Sequence, residues 1–142
     1  MTPEQLSAIC ASFDKMCAVA PDLGTRFYQR LSADHPEIAK VFSSVNMAAQ
    51  HSRFIGMLHI ILLRMKEGRP TTDLLKDLGA RHYHFGVSDE YFQKFGATLI
   101  AIFHETLGAE FDEYLHDAWV EAYQQIMALM RSEAGRSEGK NN

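Results

Sequence analysis

Apolar side chains recur along this chain at steps of three and four, and nowhere do they alternate as an amphipathic strand requires. Leu6, Ile9, Cys10, Phe13, Met16, Cys17 and Ala20 form the first stripe. It opens behind Thr2-Pro3-Glu4-Gln5, a capping box with proline at the first helical position. Pro21 marks a fresh start, and Leu23, Phe27, Tyr28 and Leu31 predict a second helix ending near Asp34. His35-Pro36 breaks the chain again before a short helix that carries Ile38 and Val41 to Phe42. A polar hinge, Ser43-Ser44-Val45-Asn46, precedes a long helix with Met47, Gln50, Phe54, Ile55, Leu58, Ile61, Leu62 and Met65 on one side.

The turn EGRPTT ends that helix. Thr71 or Thr72 can cap the next, which bears Leu74, Leu75, Leu78 and His82. Gly86 closes it and Ser88 caps a helix striped by Phe92, Phe95, Leu99, Ile102 and Phe103 as far as Gly108. A last helix is expected from about Phe111 through Leu115, Trp119, Tyr123 and Ile126 to Met130. The tail SEAGRSEGKNN is polar and is expected to be disordered. The pattern predicts an all-α fold of six or seven helices, with one domain over residues 1–131 and a tail over 132–142.

The length of 142 residues suits a single domain that buries a core without staples. A net charge of −4 without a basic stripe argues against a nucleic-acid partner. The most apolar run, IGMLHIILLRM, is broken by His59 and Arg64, so no membrane span is expected. The N-terminus lacks the layout of a signal peptide, and a cytoplasmic protein is the default expectation. Cys10 and Cys17 would lie roughly 10 Å apart on one helix, too far for an internal bridge. Both read as small core hydrophobes, an intermolecular disulfide being the alternative.

The candidate chemistry lies in LGARHYHFGV, residues 78–87. His82 looks back along Gly79, Leu78 and Leu75, an apolar strip in which Gly79 leaves room. His84 looks back along Arg81, Ala80 and Asp77, a solvated strip. Two helical positions differ by about 200°, so the two histidines cannot converge on one ion. By itself His82 is a core histidine bonded locally, or a lone axial ligand to a metal whose other ligands come from a cofactor. No HExxH, paired carboxylates or Cys/His cluster offers a protein-only metal site.

Four segments in order resemble bacterial single-domain globins, and are similar to the globin part of flavohaemoglobins. They are FYQRLSADHPEIAKVF (27–42), NMAAQHSRF (46–54), LGARHYHFGV (78–87) and LGAEFDEYLHDAWVEAY (107–123), and the likeness covers nearly all of residues 3–131. The resemblance implies a three-over-three helical arrangement around haem b, with His82 as the proximal iron ligand and Phe42 packed on the porphyrin. Phe54, Val87 and Phe92 would also line the cofactor. Tyr28 and Gln50 would form the distal ligand pocket together with Phe54. Arg53 would pair with a haem propionate, or else be a solvated helix arginine; His84 and Arg81 are weaker candidates for that role. A shift of one residue in register would make His51 the distal group, and direct binding of His51 to iron would make the haem six-coordinate.

The resemblance also shows a departure. The flavohaemoglobin pattern has a tyrosine ten residues after the proximal histidine, paired with a glutamate of the last helix. Here that position is Phe92, and the glutamate position falls near Ala134, with Glu133 one place off. A strong electronic push on the iron, and with it peroxidase-type chemistry, is put in doubt. The expected function is reversible binding of dioxygen and other diatomic gases by a monomer or homodimer. Nitric oxide dioxygenation would need a separate reductase, because no G-x-G-x-x-G or flavin segment is present. The alternatives are a haem-based gas sensor acting through a partner protein and a haem-free helical interaction domain.

Overall fold

A computed structural model describes residues 1–42, 46–84 and 86–131, leaving aside the side chains of Met47 and Ala48. The described residues form seven α-helices and two short 3₁₀ turns, with no strand among them. In chain order these are α1 (Pro3–Val19), α2 (Leu23–Asp34), α3 (Pro36–Ala39), α4 (Met47–Lys66), α5 (Thr72–His84), α6 (Asp89–Leu107) and α7 (Glu113–Met130). The 3₁₀ turns are Lys40–Phe42 and Gly108–Glu110. The all-α expectation holds, whereas the expected polar tail and the hinge residues Ser43, Ser44 and Val45 lie outside the described residues.

The helix ends follow the signals in the sequence. Thr2 Oγ1 accepts from the Gln5 N–H at 3.1 Å, and Gln5 Oε1 accepts from the Thr2 N–H at 2.8 Å, completing the capping box. Ser88 caps α6 through the Tyr91 N–H. Gly86 takes φ +90°, a conformation that a side chain would strain, and so turns the chain between α5 and α6. The last helix differs from expectation: it starts at Glu113, not near Phe111. Asp112 is the reason, because its carboxylate accepts from the Leu115 N–H at 2.9 Å and leaves Phe111 buried just outside the helix.

The six longer helices pack against one another in pairs. Among them, α1 packs on α4 and α7, α2 on α4 and α6, α6 on α7, and α5 on α7. The largest buried side chains lie at the α1–α6–α7 junction. There Trp119 sits 4.6 Å from Phe103 and 6.0 Å from Phe13, ring centre to ring centre. Its indole N–H donates to Ser12 Oγ at 3.0 Å, so the one polar atom of a buried ring is satisfied. Cys10 and Cys17 are free thiols, partly buried against this core, and burial pushes both above their ordinary range.

Three glycines set how closely helices approach. A methyl at Gly24 would lie 2.7 Å from the His51 carbonyl oxygen, so α2 and α4 touch backbone to backbone there. At Gly96 it would meet the Tyr123 ring, whose hydroxyl donates to the Phe92 carbonyl. At Gly79 it would fall within 2.9 Å of the Met130 backbone. The room expected beside His82 is therefore occupied by α7, which corrects the reading of that strip. These contacts bring α4 against α2 and α5 against α7, and so fix the spacing of the elements that carry the candidate site.

Candidate functional site

Distal candidates converge on α2 and α4. Tyr28 is buried at 6% exposure, and its hydroxyl accepts a hydrogen bond from Gln50 Nε2 at 3.2 Å. Phe42 and Phe54 meet the Tyr28 ring edge-on, with centroids 5.2 Å and 5.8 Å away. Burial pushes the Tyr28 phenol above its ordinary value, against the smaller opposing effects of Gln50 and the Arg53 charge. The phenol therefore stays protonated. Its own proton finds no acceptor among the described residues, leaving one O–H donor for something else.

The register of α4 follows from its exposed side. Gly56 and His59 face outward while Leu58, Ile61 and Leu62 are buried. Gln50 and Phe54 share the inward side, as expected; the side chain of Met47 lies outside the described residues. His51 faces α2, where its Nδ1 lies 3.0 Å from Thr25 Oγ1. Arg53 is exposed, and its Nε donates to the Ala49 carbonyl at 3.4 Å. Arg81 pairs with Asp77 at 2.9 Å, and His84 is exposed.

Proximal candidates cluster at the end of α5. His82 Nδ1 is 2.6 Å from the Leu78 carbonyl oxygen. A carbonyl only accepts, so Nδ1 carries the proton and the lone pair is left on Nε2. Burial lowers the His82 pKa, the Leu78 bond opposing it weakly, and the ring is held neutral. Phe92 packs on the imidazole at 5.5 Å, and buried Val87 donates its N–H to the His82 carbonyl at 3.0 Å. The two clusters are joined ring to ring, from His82 through Phe92, Phe95 and Phe27 to Tyr28.

Sequence reading missed Phe27, Phe95, Thr25 and the Leu78 carbonyl. The two phenylalanines carried only an apolar period, and a backbone carbonyl leaves no mark in a sequence. Phe92, as expected, offers no donor to His82, and the Glu133 and Ala134 positions lie outside the described residues. Among those residues no three His, Cys, Asp or Glu side chains gather to hold a metal. A metal at His82 would have to arrive with its other ligands already in place. A neutral imidazole with a free lone pair, an aromatic lining and one unspent hydroxyl donor fit a planar iron cofactor of that kind.

A family model for globins matches residues 13–130. The chain is a globin. This globin is 29% identical to a flavohemoprotein of Bacillus cereus over 127 residues, covering 83% of the chain and 31% of that relative. It is 27% identical to a protein of Casuarina glauca named as an anaerobic nitrite reductase, covering 93% of this chain and 91% of the relative. A second protein named as an anaerobic nitrite reductase, from Gossypium hirsutum, is 26% identical, with 93% and 90% covered. The chain thus spans about a third of the length of its flavohemoprotein relatives and nearly all of the plant ones. It is a haem-binding globin, with haem iron as its cofactor. No helix among the described residues is long and apolar enough to cross a membrane.

Proposed function

We propose that this globin binds dioxygen reversibly, with His82 holding the haem iron and Tyr28 and Gln50 facing the gas. Haem, when bound, supplies the iron that takes up a diatomic ligand and exchanges electrons. The observation that carries the reading is the Gln50–Tyr28 bond: Gln50 spends a donor on the phenol oxygen and leaves the Tyr28 proton for a ligand. In a dry pocket the Tyr28 hydroxyl would favour a gas ligand that carries partial negative charge over neutral ligands by about 1.5–3 kcal/mol. That is roughly ten- to a hundredfold in affinity. Slow release follows, which suits consumption of the gas better than its delivery.

The consumption we propose is nitric oxide dioxygenation, in which nitric oxide, dioxygen and one electron give nitrate. The electron is to come from a reductase, in keeping with the flavohemoprotein relatives. Phe42, Phe54, Val87 and Phe92 wall the cofactor and keep water out, and Arg53 reaches a propionate from the exposed side of α4. His82, whose Nδ1 partner among the described residues is the Leu78 carbonyl, acts as a neutral imidazole without a strong electronic push. A second reading, in which nitrite takes up two protons and one electron from a reductase to give nitric oxide and water, is favoured by plant relatives that match nearly end to end.

The test compares absorption spectra of the wild type and His82→Ala as ferric, reduced and carbonyl forms. An intense Soret band whose reduced and carbonyl forms change or vanish in the variant supports His82 as the iron ligand. Unchanged variant spectra refute it. Nitric oxide consumption under oxygen with an added reductase must continue beyond one equivalent, or the dioxygenase reading fails. Nitric oxide release from nitrite without oxygen decides the second reading.

A further inference from the structure

Thr25 and His51 have no part in the roles above, yet they lie beside Tyr28. Thr25 lies on α2, three residues before Tyr28, and His51 follows Gln50 on α4. The His51 ring lies nearly parallel to the Tyr28 phenol, at 17° and 5.0 Å between centroids, while its Nδ1 reaches Thr25 Oγ1 at 3.0 Å. The bare Gly24 backbone lets the His51 carbonyl press against α2, so the whole residue is pinned there. Phe27, Phe42 and Phe54 meet Tyr28 edge-on, at 72–79° between planes. Among the described residues His51 alone lies flat on the phenol.

A phenol hydroxyl lies in the plane of its ring, so whatever fixes that plane fixes the direction of the donor. A flat neighbour resists rotation of the ring out of its plane, and this one is itself tied at its edge to α2. We infer that His51 is a positioning residue: anchored by Thr25, it holds the Tyr28 ring so that the hydroxyl is aimed at the gas ligand. The same contacts assign His51 to Tyr28 and not to the iron. The inference rests on the proposed role of Tyr28 as donor, and the test separates the two.

Carbonyl stretching frequencies, oxygen dissociation rates and reduced-state spectra are to be measured on the haem-loaded wild type, His51→Ala, His51→Phe, Thr25→Val and Tyr28→Phe. The stretching frequency reads the field of the distal donor and is indifferent to loss of packing elsewhere. In the wild type, one narrow, low-frequency band is expected. His51→Ala should split or broaden it and speed oxygen release about fivefold, short of the full loss of the donor. His51→Phe keeps the flat ring and should restore much of the narrow band, and Thr25→Val should broaden it without abolishing it. If His51→Ala fails to fold, Thr25→Val decides alone, and a wild-type band and rate there overturn the inference.

A wild-type band and rate in His51→Ala, with both altered in Tyr28→Phe, overturn the positioning role and leave the donor role standing. If Tyr28→Phe changes neither, the donor role fails and the inference with it. A six-coordinate reduced wild type that becomes five-coordinate in His51→Ala makes His51 a ligand, which also overturns it.

Discussion

Adding one methyl group tests the helix packing beneath His82 most directly. At Gly79 a new Cβ would meet the carbonyl carbon and Cα of Met130 at 2.8 and 2.9 Å, with the carbonyl oxygen nearer still. Carbon atoms prefer about 3.5–4.0 Å, so α5 and α7 must part by roughly an ångström. All three contacted atoms are backbone, and no flexible side chain can give way. Overpacking of this kind costs about 1–3 kcal/mol and occasionally more, against the roughly 1 kcal/mol that alanine gains over glycine in a helix. With the clash borne by two backbones, its cost should lie at the top of that range, and Gly79→Ala should lose about 2 kcal/mol net of the helical gain. In a domain of this size the thermal midpoint should fall by about 5–10 °C.

The same substitution at Gly56 is the control. Gly56 lies inside α4 and a methyl there would meet nothing within 4 Å, so only the helical preference acts. Gly56→Ala should gain about 0.5–1 kcal/mol. Urea denaturation of both haem-free variants gives the two signs. Because Gly79 lies one turn before His82, Gly79→Ala should also release haem faster, as followed by transfer to an acceptor protein. A Gly79→Ala variant as stable as Gly56→Ala would refute the reasoning from close approach.

Further outcomes follow from the site. Tyr28→Phe should speed oxygen dissociation about ten- to a hundredfold by removing a hydrogen bond to a charged ligand, as read by stopped flow. Burial holds the His82 imidazole below its ordinary 6.5, so the unfolded chain binds protons more readily. Its contribution to stability is therefore complete above that value and is lost as the pH falls below it. Urea midpoints measured near pH 7.5 and 5.5 should drop more in the wild type than in His82→Leu, and equal drops would count against a buried neutral ring. Tyr123→Phe removes the hydrogen bond to the Phe92 carbonyl and should cost about 1 kcal/mol in haem-free protein, measured the same way.

Helix periods, caps and the Gly86 turn could be read from the sequence because each rests on residues within a few positions. His82 was legible as the inward histidine of its helix, and the order of four motifs implied the role proposed for it. What escaped depends on partners far along the chain. Gly79 looked like spare room, since a helical face shows where a residue points but not what packs there. His51 looked like a rival to Gln50, because its tie to Thr25 spans 26 positions and leaves no local pattern. Phe111 read as helical because an apolar period does not stop at a cap. Tyr28 needed the fold most: from its neighbours alone it was a core tyrosine, and only the approach of α4 brings Gln50 to its hydroxyl.

The chain has a single tryptophan, Trp119, buried at 2% exposure with its N–H bound to Ser12. An indole so shielded should emit at short wavelength in the folded, haem-free protein and shift to the red when α1 and α7 separate. A domain of this length has a radius of gyration of about 14–15 Å, so a strongly absorbing porphyrin within it lies close enough to drain that emission. The core thus carries its own optical gauge. A dim signal reports cofactor seated, a bright blue one an empty folded chain, and a red one a chain that has come apart.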